Sequence, residues 1–301
     1  MKGYKALDQD MRASLGNEMQ YELGKTYTVY GKVVPCENGF HFCEKIEYLN
    51  CYYNITDSRI FEVEADGTII KSEDKYVAER IKLVRELSKE EISKYFEQNL
   101  QLLVYHDKAY IRQTVARQGY GLDILVHDED RDVRYAVARQ GYGLDILVHD
   151  KDYCVRCMVA EQGYGLDILV HDCDRDVRCI VANKGYGLDI LVSDEDWMVR
   201  QAVVRQGYGL DIFVHDKDYC VRCVVAEQGY GLDILVHDCD RDVRCIVANK
   251  GYGLDILVSD EDWMVRQAVA KQGYGLDILV HDEDCDVRRT AKAMLDRIAI
   301  Q

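Results

Sequence analysis

Residues 127–148 read HDEDRDVRYAVARQGYGLDILV, and this 22-residue pattern returns from about Gln101 to Arg289. Its arginines mark the period: Arg112, Arg134, Arg156, Arg178, Arg200, Arg222, Arg244, Arg266 and Arg288. A fixed period of this size signals supersecondary units that bury their apolar faces by stacking on one another. A second period lies above the first. Residues 151–216 and 217–282 match except at Met158/Val224, Val204/Ala270, Arg205/Lys271 and Phe213/Leu279, so a three-unit block is written twice. A side chain with a near-copy 66 residues away is no unique catalytic group, whereas an extended contact surface tolerates copying. The repeats read as a binding device.

Variation between copies decides helix over strand. In a strand, Val133, Tyr135 and Val137 would share a face, yet the position of Tyr135 becomes Gln113, Cys157, Cys179, Gln201 and Arg289 elsewhere. The constant residues, Val133 and Val137, are four apart, and small or apolar residues at the Ala136 position complete a helical stripe. Leu122, Leu125 and Val126 repeat that spacing over a shorter stretch, which predicts a short α- or 3₁₀-helix. Gly119-Tyr120-Gly121 supplies the turn between the two. In the next loop Asp130 is placed to cap the following helix, and Asp132 to complement its dipole.

This DxDxDVRxxVA core, followed by a turn and LxxLV, resembles the HEAT-like repeats, and more closely the leucine-rich-repeat variant, in which an α-helix alternates with a 3₁₀-helix. The resemblance covers about 190 residues and lacks the prolines of those families, since Pro35 is the only one. It implies a right-handed α-solenoid of about nine two-helix units whose recurring arginines bond aspartates and loop carbonyls of adjacent units. Eight steps at the usual helix-packing spacing would give a rod of about 70 Å.

Residues before the array do not repeat. Lys25–Val34 and Arg59–Glu64 with Thr68–Ile70 read as strands, the latter two joined by a turn at Asp66-Gly67. Cys43–Tyr53 reads as a short helix, 74–86 as a helix, and Ser88 with Glu91 as a capping box opening another. The expected organisation is a small α+β domain over 1–90, an all-α solenoid over 91–287 and a capping helix over 288–301. YKAL near the start, ENGFHFCEKIEYLNCYY and RIFEVEADGTII follow the order of an ADP-ribosyltransferase core, which this segment weakly resembles. It is also similar to an uncharacterised domain at the front of phage and bacterial repeat proteins. The transferase resemblance implies a head pocket at His41 and Tyr53, and as an alternative function a transferase-like or nucleotide-binding head with the repeats choosing the substrate.

A net charge of −16 argues against direct binding of a phosphate backbone. No apolar run approaches a membrane span and the start lacks a signal peptide's apolar core, which predicts a cytoplasmic protein. Nine of the twelve cysteines recur with the repeat, so they read as small fillers. The CxxC pairs Cys154/Cys157 and Cys220/Cys223 have no further ligands in a zinc pattern, and no Walker or Rossmann fingerprint is present. Neither a metal nor a cofactor is expected.

Two surfaces remain for function. The residue two before the Val-Arg valine runs Arg131, Tyr153, Arg175, Trp197, Tyr219, Arg241, Trp263 and Cys285, and Arg, Tyr and Trp are residue types common at binding hot spots. Asp128, Asp130, Asp145, Asp172, Asp174, Asp238 and Asp240 would form an acidic face that solubilises the chain or imitates DNA. The tyrosines of Gly-Tyr-Gly read as cover for the seams between units, and the recurring histidines as helix ends. The expected function is non-enzymatic binding of a protein partner, basic or itself nucleic-acid-binding; one version is a phage or mobile-element protein inhibiting a host nucleic-acid enzyme.

Overall fold

A computed structural model describes residues 1–13, 17–51 and 57–300. The chain forms two compact units, Met1–Val159 and Ala160–Gln301.

The first unit opens with an antiparallel sheet followed by helical repeats. Its strands are β1 (Lys2–Leu7), β2 (Arg12–Ala13), β3 (Asn17–Gln20), β4 (Thr26–Thr28), β5 (Phe40–Phe42), β6 (Arg59–Ser72) and β7 (Lys75–Glu86). The main sheet runs β1-β6-β7-β4 with β5 also on β7, while β2 and β3 pair separately. Leu7, Phe40, Phe42, Phe61, Ile81 and Leu83 form the core of this part.

The structure corrects four local expectations. Residues 74–86 are not a helix but the strand β7, hydrogen-bonded along β6. The strand buries Val77, Ala78, Ile81 and Leu83, of which the last three belong to that core, and Glu79 interrupts the alternation. Glu79 has a reason to be there: its carboxylate accepts the amide of Thr68 at 3.0 Å. That amide belongs to a bulge, which is what Asp66-Gly67 forms in place of the expected turn; the pairing shifts register between Asp66 and Ile69, and the chain reverses only after Ser72. Of Lys25–Val34 only Thr26–Thr28 pairs as a strand. A 3₁₀ turn at Ile46–Cys51 stands for the expected helix at Cys43–Tyr53, and Tyr53 lies outside the described residues.

The capping box is present: Glu91 N–H donates to Ser88 Oγ and Ser88 N–H to the Glu91 carboxylate, opening the helix Lys89–Leu103. Repeats follow with the long helices Ala109–Arg117 and Arg131–Arg139 and the short helices Leu122–Leu125 and Leu144–Leu147. The sheet is tied to the first repeat by Asp74, which accepts from Tyr110 Oη at 2.7 Å and pairs with Lys108.

The second unit is repeats throughout. Its long helices, Arg175–Asn183, Trp197–Arg205, Tyr219–Glu227, Arg241–Asn249 and Trp263–Lys271, alternate with one-turn helices from Leu166–Leu169 to Leu276–Leu279, and Cys285–Ile300 closes the chain. Each long helix starts and stops for local reasons. Asp196, extended at φ −86°, accepts the amide of Met198, and Gly207 at φ +75° ends the helix with its amide on Val204. A second glycine then starts the short helix in the left-handed region: Gly187 sits at φ +60°, and a Cβ there would meet Val170 Cγ2 at 2.5 Å. Only glycine satisfies both the torsion and the space. Val199, Ala202, Val203 and Leu191 are buried, as the helical stripe predicts. The fold is a small α+β region followed by an all-α array of two-helix repeats, with short helices of α type.

Candidate functional site

Most charge in the array is engaged internally. Arg200 sits on the long helix Trp197–Arg205, and its Nε and Nη2 donate to both carboxylate oxygens of Asp216, one unit on, at 2.7 and 2.8 Å. Its Nη1 donates to the carbonyls of Asp194 and Glu195. Arg178, Arg222, Arg244 and Arg266 repeat the fork onto Asp194, Asp238, Asp260 and Asp282, and within the first unit Arg112 and Arg134 do so onto Asp128 and Asp150. These arginines are buried and form the interunit ladder that the sequence implied. The hydrogen bond from Arg266 lowers the Asp282 carboxyl; at Asp238 burial pushes the other way, but hydrogen bonds from Arg222 and the Asp240 amide leave it lowered too.

The ladder changes what the acidic residues can do. Asp128 and Asp238 have side chains only 5% and 6% exposed, facing arginine rather than solvent. Asp130, Asp174 and Asp240 are N-caps, each accepting an amide two residues on, and Asp172 accepts the amide of Asp174. Of the acidic set only Asp145 is exposed, in the first turn of a short helix.

The Arg/Tyr/Trp column lies at the first residue of the long helices. Tyr153 and Tyr219 are exposed, and Trp197 and Trp263 half-buried. Arg131, Arg175 and Arg241 are exposed and reach the capping aspartates Asp152, Asp196 and Asp262 at 3.5, 3.3 and 3.2 Å. Such exposed pairs contribute little to stability.

Three cysteines of the long helices, Cys179, Cys223 and Cys245, are chemically quiet. Burial, with Asp240 and Asp242 nearby, pushes the Cys223 thiol up to about 12, and Cys179 and Cys245 rise to about 11 for the same first reason. A thiol so placed stays protonated and is a poor nucleophile or metal ligand. Among the described residues Asp284, Cys285 and Asp286 cluster as metal-type donors, but Asp284 is engaged as the cap of the last helix.

In the head, His41 is half-buried on β5, and its Nε2 accepts the amide of Cys36 at 3.2 Å. Burial, then Lys75 and Lys5, push it down to about 4, so it is neutral near pH 7. Two open clefts of about 360 and 240 Å3 lie along the sheet, lined by residues such as Lys2, Thr26 and Arg80 in one and Tyr4, Glu44 and Val84 in the other; His41 borders neither. Sequence reasoning missed two features. Lys5 is buried with its Nζ on the His41 carbonyl at 2.9 Å, and burial lowers it to about 8. The other is the isoleucine of Leu-Asp-Ile-Leu: its omission from the Leu122/Leu125/Val126 stripe was the signal, and Ile168, Ile190 and their copies are exposed.

The profile of a family described as Domain of unknown function (DUF7666) matches residues 1–95. No curated protein matches the chain. Among solved structures, the designed armadillo repeat protein YIII(Dq.V1)4CPAF in complex with peptide (KR)4 is similar at 15% identity, over 69% of this chain and 93% of that chain, with a TM-score of 0.18. That likeness is too distant in shape to bear on the fold.

Proposed function

We propose that this protein is a non-enzymatic, protein-binding repeat scaffold, with residues 1–90 as a head, 91–287 as the array and 288–301 as its end cap. The observation that carries the reading is the division of labour within each unit. Arginine, aspartate, glycine and buried valine positions hold the stack, while the first residue of the long helices from Arg131–Arg139 to Trp263–Lys271 varies among Arg, Tyr and Trp, and Ala109 and Cys285 stand there in the outermost helices, so the fold needs no particular side chain at this place. Tyr, Trp and Arg are the residues that dominate binding energy at interfaces. The acidic residues lend less support to a nucleic-acid-like face, because the ladder and the caps engage most of them.

The test is capture by the full chain and by a Trp197→Ala, Tyr219→Ala, Trp263→Ala variant, with quantitative mass spectrometry of what each retains. A partner held by the parent and lost by the variant, at equal helicity, is expected. Identical retention by both would remove the column from the interface.

A further inference from the structure

The short helices of the second unit present a second face, and it is the constant one. In each of six consecutive repeats a tyrosine, from Tyr164 to Tyr274, is 41–43% exposed, and an isoleucine four residues later, from Ile168 to Ile278, is 43–57% exposed. Between them stands an exposed aspartate, from Asp167 to Asp277, without an ion-pair partner among the described residues. Tyrosine and isoleucine this exposed at every step make an apolar stripe edged by one carboxylate per unit.

Packing does not account for its constancy. Other exposed positions do vary within a block: Glu161 is followed in register by Asn183 and Arg205, and the next block gives Glu227, Asn249 and Lys271. The aspartate gains something from the start of its helix, and an isoleucine half in water gains about half of the ~1.5–3 kcal/mol of full burial, which another aliphatic side chain would supply as well. The tyrosine hydroxyl tells the same story. In the first unit Tyr120 Oη is bonded to Ser93 and Glu97, whereas those places one unit on are Val115 and Gly119, and none of the six tyrosine hydroxyls has a hydrogen bond among the described residues.

We propose that this Tyr-Asp-Ile stripe is a docking surface for an extended, basic polypeptide segment. The proposal rests on the reading of the array as a protein-binding scaffold but assigns a different face and a partner class. Charge complementarity chooses the occupant. A second copy laid on the stripe would set aspartate against aspartate at every unit, while a chain bearing Lys or Arg meets a carboxylate each time. Spacing adds a register: helix layers lie about 8–10 Å apart, and a polyproline-type chain advances about 9 Å in three residues while returning every third side chain to the same face. A basic residue at every third position matches the stripe, with apolar residues between for the Tyr and Ile side chains.

The experiment uses the full chain and a fluorescent peptide of about 18 residues repeating Lys-Leu-Thr, beside a scrambled peptide of the same composition, titrated by anisotropy at fixed salt. Three variants accompany it: Ile190→Ser with Ile212→Ser and Ile234→Ser; Asp189→Asn with Asp211→Asn and Asp233→Asn; and, as an equal charge change elsewhere, Asp176→Asn with Glu195→Gln and Asp242→Asn. Saturable binding of the ordered peptide is expected, weakened about tenfold or more by either stripe variant, under about threefold by the third, and about tenfold tighter than the scramble. Circular dichroism checks that each variant keeps the parent's helicity. Absence of binding, equal loss in the third variant, equal affinity for the scramble, or a dimer dissolved by the isoleucine variant would each overturn the proposal. Loss of peptide in the Trp197/Tyr219/Trp263 variant, with binding kept in both stripe variants, would overturn it while leaving the column reading intact.

Discussion

Replacing Arg200 by methionine keeps much of its aliphatic stem and removes the fork. Two hydrogen bonds to Asp216 at 2.7 and 2.8 Å and two to loop carbonyls at 2.9 and 3.0 Å are lost. The Asp216 side chain, 6% exposed, keeps only the Asp218 amide at 2.8 Å among its described partners. Breaking a buried pair from one side typically costs about 3–5 kcal/mol; water entering beside the smaller side chain favours the lower end, about 3 kcal/mol. A repeat array does not unfold in one step, so the effect should be local and fade over neighbouring units. Hydrogen exchange of the full chain is therefore the assay. Amides of Trp197–Arg205 and Tyr219–Glu227 should exchange about 100-fold faster under equilibrium-limited conditions, the equivalent of about 3 kcal/mol, with little change in Cys285–Ile300. Adding Asp216→Asn should restore at least about 1 kcal/mol, because the stranded carboxylate is gone. A change below about tenfold in the single variant, or no restoration in the double, would refute the ladder as the bond between units.

Three further outcomes follow. Gly185→Ala, at φ +73° with only Gln206 Oε1 near at 4.0 Å, should cost about 1 kcal/mol, whereas Gly187→Ala, at φ +60° and clashing with Val170, should cost about 2–4 kcal/mol; paired denaturation curves that show equal losses would refute the clash. Asp238 and Asp282 have carboxyls lowered in the folded state, so their contribution is complete above the ordinary aspartate value of about 3.9 and is lost as pH falls through the lowered folded values. Thermal melts should hardly differ between about pH 7 and 5 for this reason and fall steeply below about pH 4; Arg266→Met should blunt that acid fall. Lys5 should titrate near pH 8 by carbon NMR of its ε-methylene, and Lys5→Met should keep the fold; a Lys5 titration at the ordinary lysine value would refute its burial.

The array was legible because each position is written many times. Tyr135 standing where other units have Gln113 or Cys179 revealed an outward position, and Val133 with Val137 an inward stripe. The same comparison hid other things. Constancy marks scaffold at Arg134 but not at Ile146, and sequence alone does not show that Ile146 is exposed. Asp128 and Asp145 look alike in a list of acids, yet one faces a buried guanidinium and the other water. In the head each position is written once. Glu79 broke the two-residue alternation of β7 to serve a bulge on β6, and pairing with β4, β5 and β6 decided the strand over helical spacing. Long-range pairing of that kind leaves no local trace.

The fork between units has a direction: each repeat extends its arginine forward and offers its aspartate backward. Whole repeats can therefore be cut out or added without leaving either group single. Removing 217–282 would join Asp216 to Glu283 and still give Arg200 its carboxylate ahead of the closing helix at Cys285. A cut of any other size would strand an arginine. The array can thus change length in whole quanta of 22 residues, and the doubled block of 66 equals three such quanta.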